Sequence, residues 1–413
     1  MKSPSKLVII VLPTIFGGSG DAVNERQLIK YLCRHKSYRC IVFSFYFSGI
    51  RGLLRLKRAI TDVYKDYQNL NIRFMPIPIA IPLPLGLMLF VELFTSLLIA
   101  MIVWILDRIK HVFFIYVRTS ILALGFVLIN TLAKKTCVKI PTIGEEEVLK
   151  SKIPSLIYNV ADAHVLDKAR AIGVPSPLLL KRLVIKRKVL PKGRIILIPA
   201  GIDREKIETL KAFTLNTEGT SVKSYYVKNH YIVGFLGYLE WWQGVDILVK
   251  AVAKIKDLLD KPVKLLIVGD GPERRKIEAL CKELNVRCSI TGFIKHEDAL
   301  KLLKTFDVLV VSRVKTSTTE SNIPIKILEA WALGVPVIAT RHEIFTYLGL
   351  KDKEDIIFCE PYPEDVANKI LIVLKNTELR KRLSKKGLSL VKSYYYDIIA
   401  RSILKVFKRN DAR

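Results

Sequence analysis

Short apolar runs alternate with longer amphipathic segments along most of this chain. The runs have the length of strands, and most of the segments between them have a helical period. Buried strands that alternate with helices are typical of parallel sheets covered on both faces, and the number of runs indicates two such sheets. The pattern therefore predicts an α/β protein with two doubly wound domains. The predicted strands lie at residues 7–13, 40–45, 112–117, 195–199, 231–237, 264–269, 307–312 and 336–340.

The most polar interval without helix or strand periodicity, residues 213–229, is interpreted as a linker between the domains. The first domain then covers residues 1–212 and the second covers residues 230–375. Residues 376–413 are helical and basic and form separate C-terminal helices. A length of 413 residues agrees with this division, because one hydrophobic core rarely serves so long a chain.

An unusually apolar segment interrupts the first domain. Residues 85–106 contain one charge, Glu92, and as a helix they are long enough to cross the roughly 30 Å of hydrocarbon in a bilayer. A full span would place strands of one predicted sheet on opposite sides of the membrane. Three alternatives therefore stay open: an interfacial or partly inserted helical hairpin, a helix buried in the domain, and a true span.

The charge of the chain is strongly positive and unevenly distributed. The formal net charge is +29, and residues 1–200 hold 30 Lys and Arg against 11 Asp and Glu. Such a surplus predicts attraction to an anionic lipid surface, a phosphorylated substrate or nucleic acid. Residues 181–194 mix seven basic residues with five apolar ones and no acid, which suits an anionic bilayer surface as well as an ordinary solvated face.

The cysteines, histidines and N-terminal residues indicate the cell compartment and the cofactor class. The six cysteines form no Cys-x-x-Cys pair, which favours a reducing cytosol. The N-terminal apolar run ends in glycines without a small-residue cleavage pattern, so we interpret it as a buried strand and not as a signal peptide. Six histidines without paired spacing, and the lack of any Asp-x-Asp, predict that no metal is bound.

The clearest candidate site follows the apolar run at residues 307–312. Ser321 or Asn322 can cap the next helix, and the free N–H groups of its first turn suit an anion. Lys326 adds a positive charge in the same turn. Glu329 can accept hydrogen bonds from paired hydroxyls such as those of a ribose, although an ordinary exposed helix residue is the alternative.

Glycine turns follow three other predicted strands. Gly269 and Gly271 permit close approach of the backbone to a phosphate, and Gly237 lies in a turn before a helix. Gly17 and Gly18, in the first domain, could face the same cleft. Their segment, GGSGDA, does not match the G-x-G-x-x-G fingerprint, so a nicotinamide dinucleotide enzyme is set aside.

Read together and in this order, these segments resemble the retaining glycosyltransferases of GT-B fold called family 4, or group 1. The resemblance covers nearly the whole chain. It rests on the glycines near the first strand, IYVR at 115–118, IPAGID at 198–203, WQGVD at 242–246, VGDGPE at 268–273, TGF at 291–293 and SNIPIKILEAWALGVPVIAT at 321–340.

The resemblance implies a fold and an activity. It implies two Rossmann-like domains facing across a cleft, with the acceptor on the first and a nucleotide-diphosphate sugar on the second. It also implies that the last helices pack back onto the first domain, that the sugar is transferred with retention, and that no metal or other cofactor is needed.

The resemblance also gives roles to residues of the second domain. Glu329 matches the glutamate that is expected to hold the nucleotide ribose. The other glutamate of the family's motif falls on Ser321, with Glu320 adjacent, so Glu320, Ser321 and Lys326 are the catalytic candidates. The donor-binding candidates are Gly237, Gln243, Gly269, Gly271, Asn322 and Glu329.

Two departures from the family pattern change these roles. The diphosphate-binding cations of the family fall near Tyr238 and Gln243, so Lys326 must do more of the work, together with Arg313 or Lys315. A histidine of the first domain is replaced by the segment KIPTIGEEE, which leaves Glu145 or Glu146 in its place and His164 as a weaker candidate. The acceptor or cleft candidates are Gly17, Gly18, Glu145 and His164.

These observations predict a glycosyltransferase at the cytosolic face of a membrane, peripheral or monotopic. It would move a sugar from a nucleotide-diphosphate donor to a lipid-linked or glycan acceptor. A sugar-nucleotide epimerase of the same fold is one alternative. A basic nucleic-acid-binding or scaffold protein is another, but it leaves the glycine turns unexplained and has no supporting zinc-finger or RNA-binding signature, so nucleic acid is not an expected partner.

Overall fold

The chain forms two compact units, each with one parallel sheet. The computed structural model describes residues 6–13, 20–47, 61, 63–64, 67, 70–79, 85–143, 152–212 and 230–408. The first unit comprises Met1–Pro199 and Tyr396–Arg413, and the second comprises Ala200–Tyr395. The GT-B class, with two Rossmann-like parallel-sheet domains, is confirmed at the level of each unit.

Seven strands form the sheet of the first unit. They are β1 (Lys6–Leu12), β2 (Tyr38–Phe47), β3 (Ile72–Ile79), β4 (Val112–Arg118), β5 (Thr136–Lys139), β6 (Ala171–Val174) and β7 (Arg194–Leu197). All of them pair in parallel, in the order β3-β2-β1-β4-β5-β6-β7. The strand order reverses between β1 and β4, which makes this the switch point where ligands bind in doubly wound sheets.

Helices cover both faces of this sheet. They are α1 (Gly20–Leu32), α2 (Leu85–Lys110), α3 (Ser120–Leu128), α4 (Asn130–Ala133), α5 (Lys152–Lys168), α6 (Pro177–Arg187) and, from the end of the chain, α16 (Tyr396–Lys408). One core holds side chains of α1 and α16, and the other holds side chains of α2, α3, α5 and α6. The central strands β1 and β4 are buried on both faces, which explains why they appear in the sequence as continuous apolar runs.

Helix α2 decides among the alternatives for the apolar segment at 85–106. It is one straight element of 26 residues, so the predicted hairpin is wrong. Its inner face, with Ile99, Ala100 and Val103, belongs to the core of the sheet. The Ser96 hydroxyl donates to the Leu122 carbonyl (2.7 Å) of α3 and accepts from the Gly125 N–H (3.0 Å). One face of this helix is thus bonded into the unit, although its length and mean hydropathy of 2.5 would suffice to cross a bilayer.

The boundaries of the two units differ from the predicted domains. The first unit ends at Pro199 and not at residue 212, because the helix at Arg204–Ala212 packs with the second unit. The segment 376–413 divides: its first helix stays with the second unit, and only α16 joins the first. Ile403 and Phe407 of α16 are buried in the core of the first unit with Phe114, so apolar contacts hold α16 to that unit. The predicted linker, residues 213–229, lies outside the described residues.

One cysteine pair departs from the expectation of a reducing cytosol. Cys33, directly after α1, and Cys40 of β2 form a disulfide. The remaining cysteines, Cys137, Cys281, Cys288 and Cys359, are free thiols. The location of the protein stays a prediction.

Six parallel strands form the sheet of the second unit. They are β8 (Tyr231–Leu236), β9 (Val263–Val268), β10 (Cys288–Ile290), β11 (Val308–Val311), β12 (Val337–Thr340) and β13 (Ile357–Cys359). Their order is β10-β9-β8-β11-β12-β13, so the switch point lies between β8 and β11. The helices are α7 (Arg204–Ala212), α8 (Val245–Ile255), α9 (Arg274–Glu283), α10 (His296–Leu303), α11 (Ser317–Ser321), α12 (Ile325–Ala332), α13 (Glu343–Tyr347), α14 (Pro363–Lys375) and α15 (Thr377–Leu390).

Candidate functional site

The candidate site lies at the switch point of the second sheet. The loop after β8 carries the 3₁₀ turn Trp241–Gln243, and the loop after β11 carries Arg313. The Ser312 hydroxyl donates to the Gly244 carbonyl (2.7 Å), and the Val314 N–H donates to the Trp242 carbonyl (3.0 Å). These two bonds hold the loops side by side at the carboxyl edge of the sheet.

Two cationic side chains converge on one amide oxygen at this edge. The Lys326 ammonium donates to Gln243 Oε1 at 3.0 Å, and Arg313 Nε donates to the same oxygen at 3.4 Å. The guanidinium of Arg313 also stacks over Trp242, 4.8 Å from the ring centroid. The predicted partner of Lys326 is therefore Arg313, whereas Lys315 pairs with Glu360 at 2.9 Å. The two cations here come from the loop after β11, which carries Arg313, and from the first turn of α12, which carries Lys326.

Burial changes the acid–base properties of both cations. Lys326 is 7% exposed and lies 4.1 Å from the centroid of the Phe235 ring. Burial, and next the charge of Arg313, hold the pKa of Lys326 well below its usual value, while Glu329 opposes that shift. Burial lowers the pKa of Arg313 to about 10. A neutral amide does not offset the charges of the buried Lys326 and the half-buried Arg313, so an anion at this edge would be favoured.

Three predicted donor-binding glycines serve two different purposes. Gly237 has a φ of 133°, and a Cβ there would lie 2.8 Å from Lys326 Nζ, so glycine makes room for the ammonium group. A Cβ on Gly269 would lie 2.0 Å from the Gly237 carbonyl oxygen, and one on Gly271 would lie 2.5 Å from that of Leu239. Gly269 and Gly271 therefore let the loops after β8 and β9 pack together, a packing reason that the sequence did not reveal.

Glu329 is buried and belongs to a chain of polar groups. It is 4% exposed, and its Oε1 lies 2.6 Å from Nε2 of His296 at the start of α10. Nδ1 of the same ring lies 3.1 Å from the Lys206 ammonium of α7. An ammonium group can only donate, so Nδ1 accepts and the ring proton on Nε2 points to Glu329. The alternative of an ordinary exposed helix residue is wrong for Glu329, and the sequence gave no role to His296.

The N-terminus of α12 differs from the expected capping. The helix begins at Ile325, and Pro324 stands at the N-cap position, so neither Ser321 nor Asn322 caps it. Ser321 is the last residue of α11, and Asn322 follows it as the C-cap. Oδ1 of Asn322 is buried and has no hydrogen-bond partner among the described residues. Gly334, with a φ of 73°, follows the other end of the helix.

Glu320 contacts a different part of the edge. One carboxylate oxygen lies 3.1 Å from Nδ1 of the buried His342, and the other accepts from the Glu343 N–H at 2.5 Å. The carboxylate thus lies at the N-terminus of α13, where a negative charge stabilises a helix. These contacts give Glu320 a structural role in holding α13.

An aromatic surface lies beside the glycine loops. Tyr238 follows β8 and Phe293 follows β10, and both side chains are exposed. Their rings stack with centroids 6.0 Å apart and an angle of 24° between their planes. Flat exposed rings of this kind are suited to contact with another planar group. The TGF motif at 291–293 pointed to this loop, and the strand order places Tyr238 against it.

Most of the predicted acceptor residues are not described. Gly17, Gly18, Glu145 and Glu146 lie outside the described residues. His164 lies on α5, and its Nδ1 bonds to the carbonyl of Val160 at 2.9 Å, one turn earlier in the same helix. This local contact gives the His164 ring a partner within its own helix.

A buried ionic cluster at the switch point of the first sheet was missed by the sequence analysis. Oε1 of Glu25 on α1 lies 2.6 Å from Lys139 Nζ and 3.3 Å from Arg118 Nε, and the Tyr116 hydroxyl donates to Oε2 at 3.1 Å. Burial, and next the charge of Glu25, hold the pKa of Tyr116 well above its usual value. Thr119, directly after β4, has a φ of 80°, which is rare for a β-branched residue. Tyr116 and Arg118 lie in the IYVR segment and Lys139 begins the segment KIPTIGEEE, but the sequence analysis gave none of them a role.

The described residues hold no group of three His, Cys, Asp or Glu side chains that could bind a metal ion.

Comparison with known proteins identifies the second unit. Residues 220–389 match the family model described as glycosyl transferases group 1. The second unit belongs to this family. An uncharacterised glycosyltransferase of Methanocaldococcus jannaschii is 24% identical over 266 residues, which cover 64% of this chain and 64% of that protein. A phosphatidyl-myo-inositol mannosyltransferase of Mycobacterium leprae is 27% identical over 186 residues, 42% of this chain and 45% of that protein.

A solved structure extends the likeness of fold to the whole chain. An Anabaena protein crystallised in complex with UDP aligns with a TM-score of 0.68 and 15% identity, over 98% of this chain and 100% of that one. The chain therefore has the fold of the GT-B glycosyltransferases. The alignments to the group 1 relatives span about two thirds and about half of those relatives' own lengths.

Proposed function

We propose that the chain is a glycosyltransferase that moves a sugar from a nucleotide-diphosphate donor to a lipid-linked or glycan acceptor, with retention at the anomeric carbon. The observation that carries this proposal is the convergence of Arg313 and Lys326 on the neutral amide of Gln243, at the switch point of the second sheet. This unit belongs to the group 1 glycosyltransferases, and a protein of the same fold binds UDP.

The diphosphate would lie against the two cations. Cleavage of the sugar–phosphate bond develops negative charge on the leaving nucleoside diphosphate, and preorganised donors stabilise that charge most in a site shielded from water. Lys326 and Arg313 would supply those donors without a metal ion. Transfer should then be unchanged by a chelator, and a strict requirement for a divalent cation would contradict this part of the proposal.

The nucleoside would extend from the cations toward Glu329 and the aromatic surface. Glu329 keeps one oxygen, Oε2, for the ribose hydroxyls, because Oε1 is held by His296. The stacked rings of Tyr238 and Phe293 offer a flat apolar surface for the base. We assign His296 as a positioning residue, since it reaches the nucleotide only through Glu329.

We assign catalysis to Lys326, and Ser321 remains a catalytic candidate. Glu320 acts through structure, because both of its carboxylate oxygens are engaged by α13 and the adjoining His342. The acceptor would be handled by the first unit. The mannosyltransferase relative is named for a phosphatidylinositol acceptor, and the basic excess of residues 1–200 suits a substrate in an anionic cytosolic leaflet.

Ligand-dependent thermal stability tests the donor site directly. Uridine, guanosine and adenosine diphosphates and their sugars are screened with the full chain, and one nucleotide class should raise the melting temperature. Gly237→Ala should abolish the shift because its Cβ would meet Lys326, whereas Gly349→Ala, at a positive φ of 71° but with nothing within 4 Å of its Cβ, should keep it.

Transfer is then measured with the radiolabelled donor and extracted lipids. Incorporation of label into a lipid or glycan product supports the proposal, and conversion of the donor sugar without an acceptor would indicate an epimerase. Salt-sensitive oligonucleotide binding without any nucleotide-induced shift would replace the proposal with the nucleic-acid-binding alternative.

A further inference from the structure

The outer face of α2 is an apolar surface that the described residues of the first unit leave exposed. The inner face of this helix is buried against α3 and the sheet, yet the opposite face exposes apolar side chains along its whole length. They are Leu87, Phe90, Phe94, Leu97, Leu98, Met101, Ile102, Trp104, Ile105 and Ile109. At 1.5 Å per residue the stripe is about 33 Å long. Soluble monomers rarely expose a continuous apolar surface of this size, so a partner must cover it.

Neighbouring helices extend the apolar surface. Helix α5 packs against α2 around Ile121 and exposes Leu156 and Val160. Helix α6 is fixed to α5 by the buried pair of Arg187 with Asp162, at 2.7 Å. The surface therefore belongs to a rigid layer of helices and not to a single projecting element.

The charges around this surface indicate which partner it fits. The carboxylates of α2 and α5 are mostly neutralised within the unit: Asp107 pairs with Lys135 at 2.7 Å, and Asp167 pairs with Lys192 at 2.5 Å. Burial raises the pKa of Glu92 to about 7, so this carboxyl is partly neutral near neutral pH.

Basic side chains are added at the ends of the layer. Arg108 lies over the Trp104 ring, 5.2 Å from its centroid, and Lys110 ends α2. Lys181 of α6 and Lys188 just after it are exposed beside the exposed Ile185. Apolar side chains rimmed by Trp, Arg and Lys match the boundary between acyl chains and anionic headgroups.

We propose that the outer face of α2 docks on an anionic lipid bilayer, with the helix lying in the plane of the interface. Only this face can enter the lipid, because Ser96, Ile99 and Val103 anchor the other face in the unit. The apolar side chains would reach the acyl boundary, while the cations of α2 and α6 would contact phosphate headgroups. The inference deepens the membrane part of the proposed function and rests on it.

Binding of the full chain to vesicles tests the docking surface. Vesicles of phosphatidylcholine with 30 mole per cent phosphatidylglycerol, about a third anionic lipid, are compared with phosphatidylcholine alone, without donor or acceptor. Binding should require the anionic lipid and weaken with salt. The double variant Phe94→Asp with Met101→Asp should lower partitioning at least about tenfold by the loss of buried apolar area. The matched double variant Leu258→Asp with Tyr362→Asp, at exposed apolar positions of the second unit, should bind like the wild type.

Three results would overturn the inference. The first is that the wild-type chain stays in solution with anionic vesicles, and the second is that the Phe94/Met101 double variant binds them as well as the wild type. The third is that the wild type forms a concentration-dependent dimer and binds no lipid, while the double variant is monomeric. Melting curves without lipid check that both double variants fold. Because the vesicles contain no nucleotide sugar, loss of docking is measured separately from loss of sugar transfer.

The orientation of α2 is tested with brominated lipids. Phe94→Trp and Ile109→Trp, each made in a Trp104→Phe background, place reporters 15 residues apart in the exposed stripe, and the quenching of Trp104→Phe alone is subtracted because Trp241, Trp242 and Trp331 remain. A helix in the plane of the interface gives both reporters the same shallow depth. Depths that differ by roughly 20 Å would instead show that the helix crosses the bilayer.

Discussion

The two sheets carry similar constellations at their switch points, but with opposite consequences. In the first unit, Arg118 and Lys139 share one oxygen of the Glu25 carboxylate, at 3.3 and 2.6 Å. In the second unit, Arg313 and Lys326 share one oxygen of the Gln243 amide, at 3.4 and 3.0 Å. A carboxylate neutralises a buried cation, whereas an amide only offers it a hydrogen bond.

This difference separates a cluster that stabilises the fold from one that is ready for a ligand. The Glu25 cluster already contains its counter-charge, so its groups hold α1 to the strand ends. The Gln243 cluster has an amide where the first cluster has a carboxylate. Burial of Lys326 without a counter-charge at that place lowers its pKa. An arriving diphosphate would supply the missing negative charge.

The largest expected effect is on the stability of the first unit. Glu25→Gln leaves two buried cations without their carboxylate, and the free energy of unfolding should fall by about 3–5 kcal/mol. Chemical denaturation measures this loss. Glu360→Gln removes the exposed partner of Lys315 and should cost at most about 1 kcal/mol. Equal, small losses in both variants would show that the Glu25 cluster does not hold the fold.

Lys326→Met tests whether the second cluster serves activity and not the stability of the fold. Removing this cation should lower kcat/KM about 100-fold or more, because the leaving diphosphate loses a preorganised donor. Stability should stay unchanged or rise, because a buried charge is replaced by an apolar side chain of similar length. A variant that unfolds easily and retains activity would reverse the assignment of the two clusters.

Gln243→Glu converts the second cluster into a copy of the first. The new carboxylate would pair with Lys326 and Arg313 and would neutralise the positive charge to which a diphosphate would bind. We expect nucleotide affinity to fall at least about tenfold, since one lost charge-assisted hydrogen bond is worth about 1.5–3 kcal/mol. Calorimetric titration measures the affinity, and undiminished binding would show that the diphosphate does not lie at Gln243.

A smaller effect is expected at the residue that orients Glu329. His296→Phe removes one hydrogen bond to the carboxylate and should raise KM for the nucleotide sugar about fivefold, with a smaller change in kcat. His296→Gln keeps an N–H donor and should restore part of the loss. If both variants change only the melting temperature, the His296–Glu329 contact is structural.

The smallest expected effect is the uptake of a fraction of a proton by Lys326 when the nucleotide binds. Burial and Arg313 lower the pKa of Lys326 in the free protein, and a bound diphosphate would raise it again. Between these two pKa values binding takes up a fraction of a proton, so nucleotide affinity should fall as the pH rises. Calorimetry in buffers of different ionisation enthalpy measures the uptake, and Lys326→Met should remove it. Affinity that rises with pH would contradict this linkage.

The sequence predicted the second unit better than the first. Strands β8, β9, β11 and β12 are continuous apolar runs, and the glycine turns after them mark where the loops begin. Strands β5 (TCVK), β6 (AIGV) and β10 (CSI) include polar residues or glycine, so they do not stand out as apolar runs as the similarly short β11 (VLVV) does, and β13 has only three residues. Strand β3 contains two prolines, Pro76 and Pro78, which the sheet tolerates because β3 lies at its edge.

The contacts of the candidate site could not be predicted in the same way. Gln243 and Lys326 are 83 residues apart, and His296 and Glu329 are 33 apart. They meet because β8 and β11 are neighbours in the sheet, a fact of strand order that no local pattern expresses. The same holds for Glu25 and Lys139, which are 114 residues apart.

The sequence by itself determined the α/β class, the two sheets, the apolar character of α2 and the importance of Lys326 and Glu329, because periodicity and turn chemistry are local properties. Only the tertiary structure decided that Arg313 and not Lys315 joins Lys326, that Glu320 supports a helix, and that one face of α2 is anchored while the other is exposed. These outcomes depend on which loops and faces the strand order brings together, and that order is set by the packing of the whole unit.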